Sequence, residues 1–138
     1  LGRRRDAVAG FDYFLLSHPE SVSANGGLAL FSNIETGDEI VLMEGDEYNL
    51  VQRAGRVAEN ALEMARLDKD SIAGALVFYC AGCMLTVQER MPEVAEGLRT
   101  VLGDKPFLGS FTFGEQGCFI GGSNHHGNLM ISVVVFGA

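Results

Sequence analysis

Ile72–Tyr79, IAGALVFY, is the stretch on which the fold turns. It carries no charge and almost no polar alternation, which predicts a central strand buried on both faces. Upstream of it, Leu50, Val51, Ala54, Val57, Ala58, Ala61, Leu62 and Ala65 recur at three- and four-residue spacing, the signature of an amphipathic helix with a broad apolar face. Asp46 is placed to cap that helix and Glu47 to meet its positive end. Leu67–Ser71 then reads as a charged connection. Downstream, Val94, Ala95, Leu98, Val101 and Leu102 mark a second helix over roughly Pro92–Leu102, and Gly103 suits the left-handed residue after its end. Thr86 and Glu89 resemble a capping box. A helix starting there would enclose Pro92, which breaks a backbone hydrogen bond, so a short turn followed by a helix is the economical reading. Strand, helix, strand, helix and strand in this order imply parallel pairing with right-handed crossovers.

Working outward, Phe107–Phe113 (FLGSFTF) and Leu129–Phe136 (LMISVVVF) are strand patterns on either side of a glycine-rich segment, expected to form a C-terminal antiparallel hairpin. Toward the other end, Phe11–Leu16 (FDYFLL), Leu28–Ser32 and Ile40–Met43 are strand candidates. Ser17–Gly27 reads as a connection, and Gly37-Asp38 as a turn. The expected fold is α/β: a mixed sheet of about five to six strands with two main helices. Residues 1–138 read as a single domain, with 1–10 a linker stub or frayed terminus and Arg3–Arg5 a solvated basic cluster. A chain opening on Leu1 without methionine is expected to be a piece of something longer.

The chain is 138 residues with 47% hydrophobic and 20% charged residues, the composition of an ordinary globular domain. Its net charge of −8 argues against nucleic acid, whose footprint is a basic patch. No apolar run approaches the roughly 20 residues that span a bilayer, so no membrane partner is expected. Three cysteines without framework spacing suggest a reducing compartment, with the cytoplasm as default.

Gly114–Gly127, GEQGCFIGGSNHHG, is the segment best suited to a ligand. Glycines let backbone N–H and C=O groups approach a bound molecule, and functional groups concentrate on loops held by a scaffold. The same composition also suits a plain connection. Glu115 is its only carboxylate, placed either to meet an amine or guanidinium or to accept N–H groups within the loop. Asn124 and Asn128 bracket His125 and His126, and asparagine equally serves loop architecture. Cys80 and Cys83 form a C-x-x-C at a strand-to-helix junction, where dithiol chemistry is favoured. They read equally as small buried hydrophobes. One C-x-x-C and two adjacent histidines make half a zinc signature, and no metal or other cofactor is expected. Arg90 could meet an anion or simply be solvated. No nucleophile elbow, phosphate loop or dinucleotide spacing is present.

The order of these small motifs resembles the C-terminal FIST domain, a family named for F-box and intracellular signal transduction. The resemblance rests on Tyr79-Cys80-Ala81-Gly82 with the helical segment after it, on Phe113-Gly114-Glu115-Gln116-Gly117, and on Asn128-Leu129 entering Ile131–Phe136. It extends more weakly back to Tyr13. It implies a non-catalytic sensory domain that binds a small ligand, with amino acids the favoured class. It further implies an N-terminal FIST half upstream and a signalling output domain as partners. Carried over, Cys80, Gly82, Gly114, Glu115, Gly117 and Asn128 are ligand-binding candidates, joined by Cys83 and His126. This chain has Cys83 where the family often has a basic residue, and Gly127-Asn128 where it tends to His-Asn. Arg90 or the histidines would then have to meet a carboxylate. The alternatives are a thiol-disulfide oxidoreductase using Cys80 and Cys83, and a partner-binding module without a ligand.

Overall fold

The computed structural model describes residues 1–8, 11–118 and 123–138, with side chains described at all of these except 5–8, 11, 12 and 118. In chain order the strands are β1 (Gly2–Val8), β2 (Phe11–Leu16), β3 (Pro19–Val22), β4 (Leu28–Leu30) and β5 (Ile40–Val41). Helix α1 (Glu47–Ala65), β6 (Ile72–Cys80), α2 (Ala81–Thr86), α3 (Met91–Leu102) and β7 (Phe107–Thr112) follow. Then come β8 (Glu115–Cys118), β9 (Asn124–Gly127) and β10 (Ile131–Gly137). The chain divides into two compact units: Leu1–Glu44 with Gly114–Met130, and Gly45–Phe113 with Ile131–Ala138. The α/β class is as expected from sequence. The strands are distributed over four small sheets among the described residues, not gathered into one sheet of five or six.

The larger unit is built around β6. Asp46 caps α1 as expected, its carboxylate accepting the Asn49 backbone N–H at 2.7 Å. Val51, Ala54, Ala58 and Leu62 are buried on the inner face of α1. α1 ends at Arg66, which adopts the left-handed conformation at φ 53°. α3 starts with Pro92 in its first turn, where the missing N–H has no helical partner to lose. It buries Val94, Leu98 and Leu102. The two helices approach closely at their glycines: a Cβ on Gly55 would stand 3.0 Å from the Gly97 carbonyl oxygen. Gly103, at φ 67°, closes α3 with its N–H donating to the Arg99 carbonyl. The two-segment reading of 81–102 therefore holds, with α2, a 3-10 turn at Gln88–Arg90, and then α3.

Strand order in this unit is β10-β6-β7, with β7 parallel and β10 antiparallel to β6. The expected C-terminal hairpin between the patterns at 107–113 and 129–136 does not form. They flank β6 on opposite sides and never pair. The apolar central strand has two open edges, and each apolar neighbour takes one. Nor is β6 buried on both faces. Ile72, Ala75, Val77 and Tyr79 are buried, while Phe78 is partly exposed.

In the smaller unit the order β2-β1-β5 places Gly2–Val8 in the middle of a sheet. Residues 2–8 are thus strand where a linker stub was expected, and Arg3 is not a solvated terminus. Its side chain is buried and its Nη1 donates to Asp38 Oδ2 at 2.9 Å. Arg4 lies over the Phe14 ring at 5.9 Å. The expected connection 17–27 contains β3, which pairs with β4 across a turn at Ser23–Gly27. Gly37, at φ 98°, makes the expected turn. The glycine-rich segment folds on itself as the antiparallel pair β8-β9, and its residues 119–122 lie outside the described ones.

Candidate functional site

Glu115 opens β8 directly after Gly114, whose φ of 111° is a conformation only glycine adopts readily. Its cross-strand partner is Gly127. Glu115 is 4% exposed, and its Oε2 accepts the Met130 backbone N–H at 3.1 Å. A buried carboxylate must be hydrogen-bonded or paired, because desolvation penalises the charge. Next to Gly127, the cross-strand partner of Glu115, Asn128 is buried and makes two long-range bonds. Its Oδ1 accepts the His18 backbone N–H at 3.1 Å, and its own N–H donates to the Leu16 carbonyl at 2.9 Å. Leu129 follows at φ 55°, a left-handed conformation unusual for a bulky residue. Ser32 Oγ donates to Ser17 Oγ at 2.6 Å in the same unit.

Five of the expected site residues, Gly114, Glu115, Gly117, His126 and Asn128, therefore fall in the smaller unit. Gly117 pairs with His125, and His126 pairs with Gln116. The His126 ring packs against Gly114, where a Cβ would overlap its Nε2. Successive strand residues point to opposite faces, so His125 and His126 diverge. Among the described residues, no three His, Cys, Asp or Glu side chains gather as metal ligands.

Cys80, Gly82 and Cys83 lie in the larger unit. Cys80 ends β6 and precedes α2, while Cys83 sits within α2. Both are buried and neither is joined in a disulfide, and a reactive thiol needs to be partly exposed. Tyr79 packs edge-on to Phe111 at 6.2 Å and donates its hydroxyl hydrogen to the Leu50 carbonyl at 3.2 Å. Burial, then the neighbouring Cys83, push its phenol up to about 12. Arg90 is engaged by Glu93 through two 2.8 Å bonds, which hold that carboxyl below its ordinary range. Of the two readings of Arg90, an anion contact or a solvated side chain, the structure shows it paired with a carboxylate of its own chain three residues on. Cys118 has no described side chain.

Two cavities belong to the larger unit. One, of about 480 Å³, lies between the C-terminal ends of α1 and α3, against Glu59, Leu62, Glu63, Arg66 and Thr100. The other, of about 420 Å³, lies over the start of β6 and β7 against Gly74, Leu76, Pro106 and Leu108. Neither is lined by an expected site residue. Sequence reasoning missed both, and it missed buried Arg3, because neighbouring elements create them and no local pattern marks them.

The Asn128 geometry yields a direct prediction. Asn128→Ala leaves the His18 N–H, part-buried at this bond, without its acceptor, at a cost of about 0.5–1.5 kcal/mol. Chemical denaturation should show the midpoint fall without a change in slope. Asn128→Asp, which keeps an acceptor, should recover much of the loss. Equal losses in both variants would assign the effect to packing and remove this bond from the account.

No helix is long and apolar enough to cross a membrane among the described residues. No curated protein and no solved structure matches the chain. The family model that matches is the FIST C domain, over residues 1–118. That span includes the Tyr79–Gly82 and Phe113–Gly117 motifs and ends before Asn128. The chain belongs to the FIST C domain family, a family of sensory signal-transduction domains.

Proposed function

We propose that this domain senses a small ligand, an amino acid being the favoured class, and binds it without chemical conversion. The observation that carries the reading is Glu115, a buried carboxylate on the β8-β9 hairpin directly after a glycine-only turn. A carboxylate offers about four lone-pair sites. The Met130 N–H is one of its partners within the fold, and one carboxylate can serve both an internal bond and a ligand. A ligand ammonium is the natural partner for a carboxylate already stripped of water. Asn128, followed by strained Leu129, supports the same reading, since strained backbone clusters at functional sites. Gly114, Gly117 and His126 complete the ligand-facing set in this unit, with Cys80, Gly82 and Cys83 as candidates in the other. Binding would bias an equilibrium passed to an output domain, with an N-terminal FIST half upstream, in the cytoplasm.

Thermal unfolding against a panel of amino acids under reducing conditions tests this. A ligand at 100 times its dissociation constant adds about 2.7 kcal/mol. That corresponds to a rise on the order of 6–10 °C for a chain of this size. Glu115→Gln keeps the acceptor for Met130 and loses the charge, so the fold should persist and the shift vanish. An undiminished shift in Glu115→Gln would sink the role of the carboxylate. A flat panel would sink the amino-acid class for this chain. The C-x-x-C favours a dithiol oxidoreductase as the other reading, which needs Cys83 to become accessible. Cys83→Ser that abolishes a thiol-dependent activity would favour that reading, and retained ligand binding would count against it.

A further inference from the structure

The edge of the larger unit's sheet at β7 has a composition that isolated edges avoid. Edge strands ordinarily carry charges, prolines or bulges that prevent further pairing. From Phe107 to Gly114 this chain has no charge and no proline, and the β6-β7 register runs without a shift. Leu108 is 70% exposed, Phe111 50% and Phe113 92%. On the opposite edge, β10, Ile131 is buried and Ser132, Val133 and Val135 are half-buried, while Val134 and Phe136 are exposed. Among the described residues β7 pairs only with β6.

The hydrogen-bonding parity of this edge can be read from one bond. The Ala75 N–H donates to the Pro106 carbonyl at 3.1 Å. In a parallel pair alternate residues face the neighbour. Residues 106, 108, 110 and 112 therefore turn their backbone groups toward β6, and Phe107, Gly109 and Phe111 turn theirs outward. An antiparallel strand docking here must pair outward residues with outward residues.

We propose that β7 pairs antiparallel with β7 of a second copy of this chain, across a two-fold axis at Ser110. In that register Gly109 of one copy faces Phe111 of the other in a hydrogen-bonded pair, and the two Ser110 residues face each other in a non-hydrogen-bonded pair. The match is specific. Phe111 is held against Tyr79 with half its surface exposed, and Gly109 has no side chain to obstruct the incoming ring. Aromatic side chains laid over edge glycines are a recognised cross-strand device. Leu108 falls opposite Thr112 on the other face. Each copy carries a net charge of −8, and this uncharged strand lets two copies meet without like charges in contact. It offers nothing that would select an acidic or basic partner.

Sedimentation velocity on the 14.8 kDa chain tests the pairing, from about 1 to 100 µM. The expected result is a concentration-dependent species of twice the monomer mass. Gly109→Pro removes an outward N–H and spares the β6 ladder, since proline is tolerated at such edge positions. Phe111→Lys adds an edge charge. Both should halve the sedimenting mass while far-UV circular dichroism stays native, and either suffices if the other fails to fold. The register has its own readout. Facing Cα atoms in a non-hydrogen-bonded pair lie about 4.5 Å apart, within disulfide reach. Ser110→Cys should therefore cross-link two copies under mild oxidation far more than Thr112→Cys, which faces Leu108. A monomer throughout overturns the proposal. So does a dimer that survives both edge variants, equal cross-linking at 110 and 112, or pairing only with a strand from another protein.

Discussion

Leu102→Ala is expected to lower the stability of the larger unit by about 2–5 kcal/mol, the range for deleting a fully enclosed leucine side chain. Leu102 is 0% exposed at the C-terminal end of α3. Three carbons vanish there, and the surroundings can close over the gap only in part. Gly55 and Gly97 already bring α1 and α3 close, so further inward movement of the helices is limited. The unit is small, and the loss should appear as a fall of roughly 10 °C or more in the melting transition. Leu102→Met, which nearly conserves volume, should cost less than about 1.5 kcal/mol. Leu85→Ala, at an exposed position of α2, should change stability by no more than about 0.5 kcal/mol. A Leu102→Ala loss below that of Leu85→Ala would mean that α3 is not packed as described.

That contrast also explains which parts of the fold were legible. α1 and α3 could be read because each repeats an apolar face over three or more turns, and because Asp46 and Gly103 mark ends with residue types that the backbone requires. β6 could be located because it is an uninterrupted apolar run, but its neighbours could not be assigned. Phe107–Phe113 and Leu129–Phe136 have the same apolar character, and nothing local distinguishes pairing with each other from pairing with the two edges of β6. Only the three-dimensional competition for those edges decides it. β1 was illegible for the opposite reason. Its arginine run has no apolar alternation, and Arg3 becomes a buried strand residue only because Asp38, far along the chain, supplies a counter-charge. The candidate site was half legible. Glu115 and Gly114 stood out by type and spacing. That Asn128 binds the His18 N–H is a contact across 110 positions, which no local pattern announces.

Gly114→Ala should be the most informative single change in the smaller unit, with an expected loss of about 2–4 kcal/mol made of backbone strain and a displaced ring. At φ 111° an alanine is strained whatever space surrounds it. The new Cβ would also overlap the His126 ring. These two parts separate in a double-mutant cycle. His126→Ala removes the ring, so Gly114→Ala in that background should keep its backbone cost and lose only about 0.5–1.5 kcal/mol, the off-rotamer part. A Gly114→Ala cost that disappears altogether without the ring would show that the glycine is required for space and not for its dihedral angle. The change also bears on sensing. Gly114 sets the direction in which the chain enters β8, and Glu115 is the next residue, with its carboxylate fixed to the Met130 N–H. A backbone that relaxes from φ 111° moves that carboxylate, so ligand-induced stabilisation should be lost even at temperatures where the variant remains folded. Retained ligand response in a folded Gly114→Ala variant would separate the strained turn from recognition, leaving the glycine a purely architectural role.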